Sequence, residues 1–155
     1  MQADRDSTLE RVRRSLEGFI ADLKQLAPDR FLRPALGEGS PRDVAAHIIG
    51  WHRLTIAGCE DLRRGVTPPY LADGENDFAS VNARLVSENA GRDPDEVVRA
   101  LRESFAELDS YVRALPTQVW EAPTGVLYAG RQVTIASSVA VLAHDIEGHR
   151  RDLGA

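Results

Sequence analysis

Leu9, Val12, Leu16, Phe19, Leu23 and Leu26 recur every three or four residues. A helix turns about 100° per residue, so this spacing lines all six along one side of a cylinder. In a strand the same residues would scatter over both faces, and no single face could be buried. The pattern commits the first segment to an amphipathic helix. Ser7 followed by Glu10 has the spacing of a capping box at its start, and Pro28 stops it.

The stripe returns three more times, each between its own start and stop signals. "SPRDVAAHIIGWHRLTIAGCEDLRRG" opens with Ser40 at the N-cap, Pro41 in the first helical position and Asp43 in the first turn. Val44, Ile48, Trp51, Thr55 and Leu62 mark its inner face, and Gly65 its end. Asp93, Pro94 and Glu96 start the next helix, which carries Val97, Leu101, Phe105, Leu108, Val112 and Leu115 before Pro116. Thr134 caps the last one, whose stripe is Ile135, Val139, Leu142, Ile146, His149 and Leu153. A shorter helix is predicted over 75–90, with Phe78, Val81, Leu85 and Val86 on one side. Residues 66–74 read as a loop, and 117–133, with "APTGVLYAGRQV", as a loop or a small two-stranded ribbon.

Four long amphipathic helices and one short one in 155 residues read as an all-α chain, a four-helix bundle forming one domain over residues 1–155. The long connection after the second long helix leaves room for one crossover. The formal charge of −5 argues against nucleic acid as a partner, because phosphate binding needs a local surplus of base. Cys59 is the single cysteine, so an intramolecular disulfide is excluded; it reads as a small core residue. The charged start "MQADRDSTLE" lacks the apolar run of a signal peptide, and no stretch has the length of a membrane span. These features make the cytoplasm the expected compartment, with no membrane partner.

Polar residues sort by face. His144 and His149 are five apart and diverge by about 140°, whereas Asp145 and His149, four apart, stack within about 40°. His47 sits among Val44, Ile48 and Trp51 on the apolar side of its helix; His52, five residues on, is expected at the rim or in solvent. Two helices thus each carry an imidazole on the core stripe, and one adds a carboxylate a turn away. His47, Asp145 and His149 are candidate ligands for a divalent ion, because bundle metal sites are built from side chains on facing helices. Two imidazoles and one carboxylate suit zinc, nickel, manganese or iron, and leave positions open for water or substrate. The alternative is that each is a core or boundary residue with its own hydrogen bond. Trp51, Asn82 and His144 are candidates for lining a pocket; Asn76 could do the same or cap a surface helix. Trp120 reads as core or as a pocket wall. Glu147 is expected in solvent, and Gly148 either permits a close helix contact or bends the helix slightly. There is no phosphate-binding loop, dinucleotide fingerprint, HExxH or Ser-His-Asp signature.

"SPRDVAAHIIGWHR", "FASVN" and "LAHDIEGHRRDL" resemble the DinB/YfiT superfamily, in order and over nearly the whole chain. The likeness is to its small single-domain members, including the ClbS/DfsB-like colibactin-resistance group, and to the N-terminal domain of mycothiol-dependent maleylpyruvate isomerase. The resemblance implies a four-helix bundle of up-down-down-up topology, often a homodimer, with a divalent metal, zinc or nickel foremost. It places the first ligand at His47 and the other two, four apart, at Asp145 and His149. Many members have histidine where this chain has Asp145; the isomerase branch has an acidic residue there. The activity implied is thiol transfer, thiol-dependent isomerisation or hydrolysis of a small electrophilic molecule, with a low-molecular-weight thiol such as mycothiol or bacillithiol as cosubstrate. Arg131, Arg150 and Arg151 are candidates for pairing with a substrate carboxylate. The alternative implied is a metal-free ClbS-like protein that sequesters or hydrolyses a reactive metabolite.

Overall fold

The computed structural model describes residues 2–33, 39–71 and 78–153, so Asn76 lies outside the described residues. Every long apolar stripe folds as a helix: α1 (Gln2–Lys24), α3 (Pro41–Arg63), α5 (Pro94–Ala114) and α6 (Ile135–Leu153). Two shorter helices join them, α2 (Pro28–Leu32) and α4 (Phe78–Asn89). Ahead of α6, β1 (Leu127–Tyr128) and β2 (Arg131–Gln132) pair antiparallel, Leu127 opposite Gln132 and Tyr128 opposite Arg131. Their turn has φ 52° at Ala129 and 78° at Gly130, the positive values a tight hairpin turn needs at both central residues.

Local signals set most of the helix ends. Ser40 and Asp43 form a reciprocal capping box, as do Asp93 and Glu96. Thr134 and Ser137 exchange the same pair of bonds at the head of α6. At the end of α3, Gly65 takes φ +72°; its N–H reaches Leu62 O and that of Val66 reaches Asp61 O, which satisfies two terminal carbonyls.

The start of α1 departs from the local signal. Ser7 is an exposed residue inside the helix rather than its cap. Arg5, 3% exposed, donates from Nη1 to Val112 O and Leu115 O at the end of α5. Asp4 accepts from the Trp120 indole. These tertiary bonds hold a turn that the sequence alone would leave frayed. Pro28 does not simply end α1; it occupies the first position of α2, which buries Phe31.

Cross-helix pairs fix the topology. Arg11–Glu147 and Asp22–Arg150 run in the same sense along α1 and α6, which are therefore parallel. His52–Ser104 and Glu60–Tyr111 do the same for α3 and α5. Arg113–Asp6 and Arg102–Glu17 run in opposite senses, so α1 and α5 are antiparallel. His47–His149 joins the head of α3 to the tail of α6, so these two are antiparallel as well. The order is up-down-down-up, with the segment containing α4 as the crossover between the parallel pair α3 and α5. The stripes close on one core that includes Leu16, Phe19, Ile49, Leu101, Leu108, Ile135 and Ile146. α4 lies against α3 at Gly50, where a Cβ would meet the Leu85 side chain at 2.7 Å, so only glycine admits this approach.

Candidate functional site at the paired histidines

α3 and α6 bring two imidazoles face to face. His47 Nε2 and His149 Nε2 are 3.0 Å apart, with ring centroids at 4.8 Å and planes inclined by 56°. His47 is 4% exposed and His149 partly buried. Burial is the main force that pushes the His47 pKa down to about 3; the neighbouring His149 adds to it, and Asp43, one turn back on α3, opposes it. His47 is thus a neutral imidazole across the physiological range, with no proton competing for its lone pair.

A distance of 3.0 Å between two ring nitrogens fits either a neutral N–H···N hydrogen bond or two ligands of one ion. Two metal–nitrogen bonds of about 2.1 Å meeting at a right angle span about 3.0 Å, and at a tetrahedral angle about 3.4 Å. The separation thus matches two ligand positions at a right angle and is about 0.4 Å short of the tetrahedral span. Asp145 is the third expected ligand. It lies on the same side of α6 as His149, one turn earlier, and is exposed. Among the described residues no group of three His, Cys, Asp or Glu side chains converges closely enough to hold an ion.

The other expected residues separate. Trp51, one turn after His47, donates its indole N–H to Asn82 Oδ1 at 2.6 Å, a bond that joins α3 to α4. His144 is exposed on the flank near Glu147, in line with its angle from His149. Trp120 is wholly buried, a core residue near the start of α1. Cys59 is also buried, and desolvation raises its thiol pKa to about 12, which excludes a thiolate at neutral pH. Arg150 is bound to Asp22, and Glu147 takes bonds from Arg11 and Ser15 instead of standing in solvent. Arg131 is exposed on β2, and Gly148 makes no close helix contact among the described residues.

His52 is the clear correction. It is 0% exposed, and its Nδ1 lies 2.7 Å from Ser104 Oγ. Ser104 gives its own proton to Leu101 O, so Nδ1 must be the donor in the bond to Ser104. Nε2 is then a bare lone pair with no partner among the described residues. Desolvation, helped by Arg53, pushes the pKa down to about 3. An angle of about 140° from His47 leads away from α6 but into α5.

Two large hollows, of about 530 and 560 Å³, lie elsewhere, along the α1–α6 flank among Arg11, Glu147 and Arg150. They are wide open and lined by paired charges.

The sequence profile of the mycothiol maleylpyruvate isomerase N-terminal domain matches residues 9–154. The chain belongs to that family. Its architecture recurs in the solved mycothiol-dependent maleylpyruvate isomerase, with TM-score 0.74 and 19% identity over 97% of this chain and 61% of that one. The chain thus spans 61% of the length of that relative. A complex of the colibactin self-resistance protein ClbS with double-stranded DNA gives TM-score 0.76 and 13% identity, over 97% and 93% of the two chains. DfsB, a sibling lethal factor precursor, gives 0.78 and 12%, over 97% and 92%. At these identities the likeness establishes the fold. No curated protein sequence matches the chain. Among the described residues no helix is long and apolar enough to cross a membrane.

Proposed function

We propose that His47 and His149, completed by Asp145, hold a divalent metal, zinc or nickel, and that this member of the family carries out thiol chemistry on a small electrophilic molecule. The observation that carries the reading is the 3.0 Å approach of two ring nitrogens drawn from different helices. One of them is held neutral by burial and so is ready to ligate without releasing a proton. Asp145, stacked one turn before His149, is the carboxylate that α6 itself offers to the pair.

A divalent ion at this position supplies Lewis acidity and lowers the pKa of a bound thiol or water to near neutrality. The chain does the rest. His47, fixed between α3 and α6, orients its Nε2 toward His149. Trp51 covers the next turn of α3 and limits access of water from that side. The family name supports a low-molecular-weight thiol, such as mycothiol, as cosubstrate, and the reactions in scope are thiol transfer, thiol-dependent isomerisation and hydrolysis. The same reading makes the protein a cytoplasmic homodimer acting on small molecules. Its charge of −5 disfavours nucleic acid, although one structural neighbour was solved with double-stranded DNA. Sedimentation and a duplex-binding titration check these two points.

Elemental analysis of untagged protein tests the metal. One ion per chain is expected, lost in His47→Ala and in His149→Ala with the helical circular dichroism retained. Unchanged metal content in both variants refutes the assignment. A second reading rests on the exposed position of Asp145: a metal-free ClbS-like protein that sequesters or hydrolyses a reactive metabolite, with His47 and His149 as a hydrogen-bonded pair. Absence of a stoichiometric ion in the native protein favours it.

A further inference from the structure

The bond between Trp51 and Asn82 carries more information than its length. An indole nitrogen only donates, so Asn82 must turn its carbonyl oxygen toward Trp51. The amide cannot flip without losing that bond. Its nitrogen, with both N–H groups, is thereby turned away from the indole, and no acceptor for it exists among the described residues. Both side chains are only partly buried. Two oriented donors are presented to whatever reaches this face.

The surroundings are aromatic. Tyr70 meets Trp51 edge-on at 5.2 Å, Phe78 lies 6.0 Å from Trp51, and Tyr128 lies 6.1 Å from Phe78. Phe78, Leu127 and Val141 are among the large apolar side chains that remain exposed, at 36%, 59% and 48%. Val141 stands two turns before His149 on α6, about 80° round the helix from it. The antiparallel register set by His47 and His149 brings Asp145 level with Trp51 and Val141 level with Thr55. One strip therefore leads from the histidine pair past Trp51 and Asn82 to Phe78 and Tyr128. The rings offer π faces and edges, and the amide adds two N–H donors whose direction the Trp51 bond fixes, beside the Tyr70 and Tyr128 hydroxyls. A flat conjugated molecule bearing a carbonyl-type oxygen matches both, its plane against the rings and its oxygen on the amide N–H.

We infer that Asn82 is a substrate-binding residue that grips the acceptor oxygen of a flat, conjugated ligand laid on the Trp51–Phe78–Tyr128 wall, and that Trp51 is the positioning residue that locks the amide. This deepens the function proposed above and rests on the histidine pair being the reacting centre. Its test needs no metal, so the two readings fail separately.

The probe is acetophenone, with cumene as an acceptor-free control of nearly the same shape. Binding is followed in proton–nitrogen correlation spectra through the Asn82 side-chain amide and the Trp51 indole. The Trp120 indole, buried and bonded to Asp4, is the internal reference. Acetophenone is expected to shift the first two saturably and leave Trp120 in place. Asn82→Leu is expected to weaken acetophenone about tenfold while cumene changes by less than about twofold, the signature of one lost neutral hydrogen bond. Trp51→Phe, which keeps a ring and loses the lock, is expected to weaken acetophenone about threefold or more with cumene again unchanged. An unmoved Trp120 resonance in each variant confirms that the bundle is folded. Shifts that never saturate, or equal losses for acetophenone and cumene in the variants, overturn the inference and leave the bond as a pin between α3 and α4.

Discussion

Replacing His52 by leucine gives a quantitative test of the core. The wild-type imidazole is fully buried, and its pKa falls from the ordinary 6.5 to about 3. In the unfolded chain it takes up a proton near pH 6.5. Between pH 6.5 and 3 the unfolded state therefore binds one more proton than the folded state, and stability declines as pH falls. The stabilising balance is complete above pH 6.5 and is lost at about 1.4 kcal/mol per pH unit below it, for each such imidazole. Integrated from pH 7.5 to 5, His52 alone removes about 2 kcal/mol. His47 removes about the same in metal-free protein, because its pKa is also depressed to about 3. His52→Leu is of similar volume, removes the unpartnered Nε2, and leaves Ser104 bonded to Leu101 O. At pH 7.5 its stability should lie within about 1 kcal/mol of wild type, since one neutral hydrogen bond is exchanged for apolar burial. At pH 5 it should be the more stable protein by about 2 kcal/mol relative to that difference. Urea unfolding followed by circular dichroism at pH 7.5, 6.5, 5.8 and 5 measures both curves. Parallel curves for wild type and variant would refute the burial of a neutral imidazole at this position.

Gly50→Ala should destabilise the protein by about 1–3 kcal/mol, because the new Cβ overlaps Leu85 where α4 meets α3; thermal unfolding measures it, and the Trp51 indole resonance should move as the Asn82 bond is disturbed. Ala129→Gly should stabilise by up to about 1 kcal/mol, since Ala129 holds a left-handed φ of 52° that glycine adopts freely; an unchanged or lower denaturation midpoint counts against strain in the hairpin turn. Leu101→Ala, at a side chain with no exposed surface, should cost about 2–5 kcal/mol in urea unfolding. Removing Asp93 as N-cap of α5 with Asp93→Ala should cost about 1 kcal/mol, and Asp93→Ser should recover most of it.

The bundle was legible because a 3.6-residue period is written into each long segment, and the caps at Ser40, Asp93 and Thr134 are local chemistry that tertiary contacts leave alone. The same arithmetic of faces put His47 and His149 on the core stripes of their helices, but it did not say that the two would meet. What the arithmetic could not provide was the number of neighbours. α3 is flanked by α4, α5 and α6, so the direction that seems outward from His47 is inward for His52. The early start of α1 was hidden for a related reason: Arg5 and Asp4 are fixed by α5 and Trp120, more than a hundred residues away in sequence. α2 has five residues, too few to display a stripe. Asp145, expected on the side of α6 that carries His149, is exposed there.

The contact between positions 47 and 149 spans 102 residues of sequence and ties the first half of the chain to its last helix. Whatever bridges the two imidazoles acts as a clasp on α6. A bridging ligand present at a hundred times its dissociation constant would tighten the fold by about 2.7 kcal/mol. That gain would be felt first as slower amide exchange along α6, far from any atom of the ligand itself.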